Sequence, residues 1–108
     1  MKEVQWTETA IKTLRETSDF ILELWNSDVN EEFVAQIDHR ISQLQNNPEL
    51  APAFENTEIR RLVIHRTVSL FYVNTPRFIK ILVIWDNRQD ANSLFEKLTD
   101  ANRNRSKK

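Results

Sequence analysis

The chain has 108 residues, 40% apolar and 29% charged, enough for one hydrophobic core and too few for two. It contains no cysteine and no glycine. That excludes disulfides, thiolate metal sites and cysteine nucleophiles, and removes the glycine-rich phosphate loops and dinucleotide fingerprints that need backbone conformations only glycine adopts freely.

The net charge of −1 conceals a split. Residues 1–58 hold 4 Lys/Arg against 12 Asp/Glu, a balance of −8, and residues 59–108 hold 11 against 4, a balance of +7. Such a split points to a face that meets an anionic partner, either nucleic acid or an acidic protein segment; mutual neutralisation of the halves within the fold is the alternative. Met1 to Thr7 lacks the apolar core of a secretion signal, and the longest apolar stretch, Phe78 to Trp85, is interrupted by Lys80 and too short to cross a bilayer. A cytoplasmic location is therefore the expectation, with no membrane partner.

In chain order, EVQWT (3–7) alternates polar and apolar residues and predicts a short first strand. Thr7 or Thr9 can cap a helix over about 8–26, in which Ala10, Ile11, Leu14, Ile21, Leu24 and Trp25 recur at helical spacing. NSDVN (26–30) is a cluster of turn and cap residues, and Asn30 before Glu31 and Glu32 marks the start of a second helix. Its apolar stripe is Phe33, Val34, Ile37, Ile41 and Leu44, and it ends at Asn46-Asn47-Pro48. The short connection predicts an antiparallel helical hairpin.

Residues 48–58 read as a loop, with two prolines and no period. Three β-rich segments follow, IRRLVIH (59–65), TVSLFYVN (67–74) and RFIKILVIW (77–85), joined closely enough for an antiparallel meander. Histidine tolerates positive φ, which accounts for His65 at a turn of a glycine-free chain. Asp90 is placed to cap a last helix, Ala91 to Leu98. ANRNRSKK (101–108) carries four positive charges and no acid, so residues 1–100 are expected to form the domain and 101–108 a basic, disordered tail.

Period-two reading puts Leu70 and Tyr72 on one face of the middle strand and Phe71 and Val73 on the other. In the last strand it sets Leu82 and Ile84 against Ile81, Val83 and Trp85. Both faces are apolar, yet one helical hairpin covers only one of them. The C-terminal helix, a second copy or a partner must shield the second. His39 lies on the polar side of the second helix with no partner at metal-binding spacing, so no metal or cofactor is expected. The predicted fold is α+β: an N-terminal strand, an α-helical hairpin packed on an antiparallel meander, and a short C-terminal helix.

From Val4 to about Leu98 the chain resembles the RelE/ParE superfamily of toxins from bacterial type II toxin–antitoxin systems. IRRLVIHRTVSLFYVNTPRFIKILVIWDNRQD carries the likeness: an arginine-rich strand, a strand ending in LFY, and a strand running into DNRQD. The resemblance implies a growth-inhibiting toxin neutralised by a cognate antitoxin in a hetero-oligomer. Members of one branch cleave messenger RNA on the ribosome; members of the other bind and poison DNA gyrase without catalysing a reaction.

A nuclease needs basic groups for the scissile phosphate and a general acid and base. By resemblance Arg61 and Arg88 are the catalytic candidates, with His65 as a substitute base and Arg60, Arg66, Lys80 and Asn87 as nucleic-acid contacts. Tyr72, Leu82 and Trp85 are the candidates for an apolar partner surface. Two departures weigh against cleavage. Val68 or Ser69 stands where the nucleases carry an arginine, and Leu94-Phe95 offers no ionisable group downstream of Arg88. The resemblance therefore favours the gyrase-binding branch; messenger-RNA cleavage, or a module that only binds antitoxin, are the alternatives.

Overall fold

The computed structural model describes residues 1–65, 67–103 and 106–107. The elements are β1 (Glu3–Thr7), α1 (Glu8–Leu24), α2 (Ser27–Asn46), β2 (Arg60–His65), β3 (Val68–Asn74), β4 (Phe78–Asp86), α3 (Ala91–Arg103) and β5 (Ser106–Lys107). They form one sheet in the order β2-β3-β4-β1-β5. The β2-β3-β4 meander is antiparallel, and β1 adds to β4 in parallel, with Glu3 opposite Phe78 and Trp6 opposite Ile81.

Thr7 joins the first strand to the first helix. Its hydroxyl accepts from the Ala10 amide at 3.0 Å as the α1 cap and donates to the Ile81 carbonyl at 2.9 Å. Beyond Ile81, β4 has no strand neighbour on that side, because the chain has already turned into α1. Thr13 supplies the missing partner: its hydroxyl accepts from the Ile84 amide at 3.0 Å. The buried stretch of β4 thus has backbone groups satisfied by two threonines, one capping the helix packed on it and one within that helix.

The second helix starts earlier than Asn30. Asn26 has the extended backbone of a cap, and its side chain accepts from the Val29 amide. Asn30, four residues on, receives the Ser18 hydroxyl at 2.8 Å and so fastens α2 to α1. Either asparagine could cap; the first one reached by the chain does so.

The core has two layers. Ala10, Ile21, Phe33, Ile37 and Leu44 of the hairpin meet Leu62, Leu70, Tyr72, Ile79, Ile81 and Ile84 on one face. Phe33 is fully enclosed, a burial that contributes ~1.5–3 kcal/mol. On the other face Phe71, Val73, Leu82, Val83 and Trp85 are covered by Leu94, Leu98 and Ala101 of α3. The C-terminal helix therefore shields the second face. Asp90 caps it, its carboxylate accepting from the Asn92 amide and the Ser93 hydroxyl. The helix continues past Leu98 to Arg103 with Ala101 fully buried, and β5 pairs with β1, so the ordered chain extends into the segment expected to be a tail.

The period-two assignment of β4 fails at one point. The register slips between Phe71–Val83 and Tyr72–Ile81, leaving Leu82 as the extra residue of a bulge. A bulge reverses the parity of everything beyond it. Ile81 consequently shares a face with Ile84, and Leu82 with Val83 and Trp85.

A second bulge lies between Val63 and His65. It carries His65 round to the hairpin face, beside Val68. His65 is not a positive-φ residue; among the described residues those are Glu55 and Asn56, in the loop before β2. That loop is closed by the Phe54 amide on the Ile59 carbonyl at 2.7 Å.

Candidate functional site at the end of the sheet

β4 ends at Asp86, whose side chain is fully buried and accepts four kinds of donor. The Arg88 Nε reaches Oδ1 at 3.0 Å, its Nη2 pairs with Oδ2, its backbone amide donates to Oδ1 at 2.9 Å, and so does the Thr67 hydroxyl at 2.9 Å. Burial pushes the Asp86 carboxyl up, but the Arg88 and Thr67 hydrogen bonds and the Arg88 charge outweigh it and hold the group below the usual carboxylate range. The same hydrogen bond raises Arg88, against the opposing effect of its own partial burial. A bidentate pair with a fixed backbone turn is a rigid clasp.

The Arg88 guanidinium lies over the Phe20 ring at 5.3 Å, near the end of α1, and the Trp25 ring at 6.0 Å, at its C-cap. Between them opens a cavity of about 290 Å³, lined by Ile21, Trp25, Val29, His65, Val68 and Arg88. His65 faces it from β2, with Nδ1 3.9 Å from Glu32 of α2. Arg88 and His65 are thus brought together, on the hairpin face.

Arg61 is not brought to them. It lies opposite Phe71 on the α3 face, where its Nε donates to the Ser69 hydroxyl at 3.1 Å. Asn87 donates to the same hydroxyl at 3.3 Å. The small side chain of Ser69, noted above as a departure from the nuclease pattern, is what admits both.

Arg60 points to the hairpin face and donates to the Ala51 carbonyl at 2.6 Å, fastening the loop after α2. Lys80 reaches the Asn102 carbonyl at 3.4 Å, in the last turn of α3, where a cation suits the helix dipole. Arg66 lies outside the described residues.

Tyr72, Leu82 and Trp85 are core residues instead of a partner surface, exposed by 0%, 0% and 6%. Their cover comes from this chain: α3 over Leu82 and Trp85, the hairpin over Tyr72. The Tyr72 hydroxyl donates to the Pro48 carbonyl at 2.9 Å and takes the Ala51 amide at 3.4 Å; burial pushes it up. No group of three or more His, Cys, Asp or Glu among the described residues could hold a metal ion. No helix among them is long and apolar enough to cross a membrane.

Sequence reasoning missed Asp86, Thr67 and Phe20. The signal for Asp86 was present, since an Asp two residues before an Arg at a strand end is the pattern of a side chain closing its own turn.

With this geometry in place, comparison with known proteins is informative. The family model described as the ParE toxin of the type II toxin–antitoxin system parDE matches residues 4–91. The chain belongs to that family. The matched span runs from β1 through the Asp86–Arg88 clasp and stops as α3 begins. A solved structure titled the chromosomal ParDE TA system from P. aeruginosa shares the fold, with a TM-score of 0.66 at 24% identity, over 78% of this chain and 94% of that one. No curated protein matches the chain at a significant level.

Proposed function

We propose that this family member acts by binding its target, DNA gyrase, without catalysing a reaction itself, and that a cognate antitoxin neutralises it. One observation carries the reading: the basic groups a nuclease would need are committed to separate tasks on opposite faces of the sheet. Arg88 is tied to Asp86 beside the hairpin, and Arg61 to Ser69 on the opposite face of the sheet. Cleaving a phosphodiester requires a cation, an acid and a base converging within hydrogen-bond reach of one phosphate. A binding toxin has no such requirement.

The messenger-RNA reading has one observation in its favour, the common cavity of His65 and Arg88. That cavity is walled mainly by Ile21, Trp25, Val29 and Val68, and burying a phosphodiester among them would cost far more than one arginine already paired with Asp86 can offset.

The test is induced expression in growing cells, with and without a candidate antitoxin, the product of any short reading frame found beside this one. Arrest relieved by that product, with gyrase–DNA complexes trapped and messenger-RNA ends unchanged, is the expected result. New messenger-RNA ends without trapped complexes would replace the proposal by the nuclease. Unimpeded growth would leave only antitoxin binding.

A further inference from the structure

Three of the large apolar side chains left exposed fall within four residues where α1 turns into α2. Leu22, Leu24 and Trp25 are 44%, 53% and 45% exposed. Trp25 also forms one wall of the 290 Å³ cavity, whose remaining apolar lining is Ile21, Val29 and Val68. Trp25 thus carries apolar surface from the cavity wall to the outside of the corner, next in sequence to the exposed Leu24.

The charges that the hairpin itself brings to this surface are all acidic, and the Arg88 guanidinium in the cavity wall is paired with Asp86. Residues 19–32 include Asp19, Glu23, Asp28, Glu31 and Glu32, all exposed, and no Lys or Arg. Asp28 sits in the first turn of α2, where the helix dipole favours it; Glu31 and Glu32 follow in the next turn. Glu23 does not share that reason. It stands in the last turn of α1, the end that disfavours an anion, and that turn holds no basic residue of its own. The acidic charge is therefore partly opposed to the fold's own electrostatics. A nucleic acid would be repelled from this corner; a cationic polypeptide would be drawn to it.

We propose that the α1–α2 corner docks a basic, amphipathic segment of a partner protein. One apolar side chain of the segment fills the cavity beside Trp25, further apolar positions rest on Leu22 and Leu24, and its Lys or Arg residues meet Glu23, Glu31 and Glu32. Helix-in-groove recognition combines these same elements, an anchor in a pocket and a rim of complementary charge.

The test uses the full chain and a synthetic peptide of about 18 residues, five helical turns, with leucines on one face and lysines on the other. Binding is read by calorimetry, and its location by NMR shifts of the Trp25 indole. The expected result is saturable binding that shifts Trp25 and weakens by about tenfold or more in Leu24→Ser and in the triple variant Glu23→Lys/Glu31→Lys/Glu32→Lys. The same peptide with glutamates for lysines should not bind. Ile11→Ser, on the separate groove that Ile11 and Val34 line on the hairpin, should leave affinity unchanged.

Absence of binding overturns the proposal, as does equal binding of the acidic peptide, or sensitivity to Ile11→Ser with none to Leu24→Ser. Self-association of the chain that Leu24→Ser abolishes would also overturn it, by giving the corner to a second copy. Nothing in this assay reads toxicity, so its outcome is separate from that of the function proposed above.

Discussion

The hairpin face of the sheet is covered by helices of 17 and 20 residues, which Thr7 and Thr13 bind to the β4 backbone and Ser18 and Asn30 bind to each other. The opposite face is covered by one helix of 13 residues, held by Leu94, Leu98 and Ala101 and by Lys80 at its last turn. The family match spans the first arrangement and ends where the second begins. Each face also takes one of the two arginines that a nuclease would have to combine. The lesson is that a strand with two apolar faces needs two covers, and the groups at its polar end are then divided between them. Shared position at a strand end does not make a shared site.

Predictions follow from the inequality of the two covers. Phe33→Ala, in the hairpin layer, should cost ~3–5 kcal/mol in denaturant unfolding, and Leu98→Ala, in α3, about 2 kcal/mol, because a single helix can shift to close the gap. Equal losses would show that α3 is as tightly built as the hairpin. Arg88→Ala should come next, at about 1–3 kcal/mol, since it leaves the buried Asp86 carboxylate with only the Thr67 hydroxyl and a backbone amide. Adding Asp86→Asn to that variant should recover part of the loss. No recovery would mean that the guanidinium acts chiefly through its packing on Phe20 and Trp25.

The same pair sets a pH dependence. Because the Asp86 carboxyl is held low in the fold, the unfolded chain binds more protons in acid. The contribution is complete above the ordinary carboxylate range near pH 4 and is lost as pH falls through it towards the lower folded value. Asp86→Asn should flatten that part of the acid limb of a stability–pH curve; an unchanged limb would remove Asp86 as its source. Tyr72 works at the other end. Its raised pKa means the unfolded chain ionises first, so stability falls as pH rises past about 10. Tyr72→Phe should remove this loss while costing about 1 kcal/mol at neutral pH for the hydrogen bond to Pro48. Smallest of all, Ser69→Ala should cost about 1 kcal/mol or less by releasing Arg61 and Asn87.

Local pattern made most of the fold legible. The threonine cap, the apolar stripes of α1 and α2, the three-strand meander and the Asp90 cap all depend on neighbours within a few residues. Three features depended on distant ones. The bulge at Leu82 follows from how β3 and β4 fit together, and no residue in FIKILVIW announces it. The bulge before His65 likewise decides which face the histidine joins. The parallel pairing of β1 with β4 links residues more than seventy positions apart. The candidate site suffered most from this. Its residues were correctly noticed as basic or polar, but Arg61 and Arg88 were grouped by position in a motif, while strand parity and the buried Asp86 separate them.

The central claim is that Arg61 and Arg88 do not form one catalytic set. Growth arrest by the Arg61→Ala variant, with its fold verified by circular dichroism and cooperative unfolding, tests it most directly. The account predicts arrest as complete as that of the unmodified chain. Loss of arrest in a variant that folds and accumulates normally would contradict it.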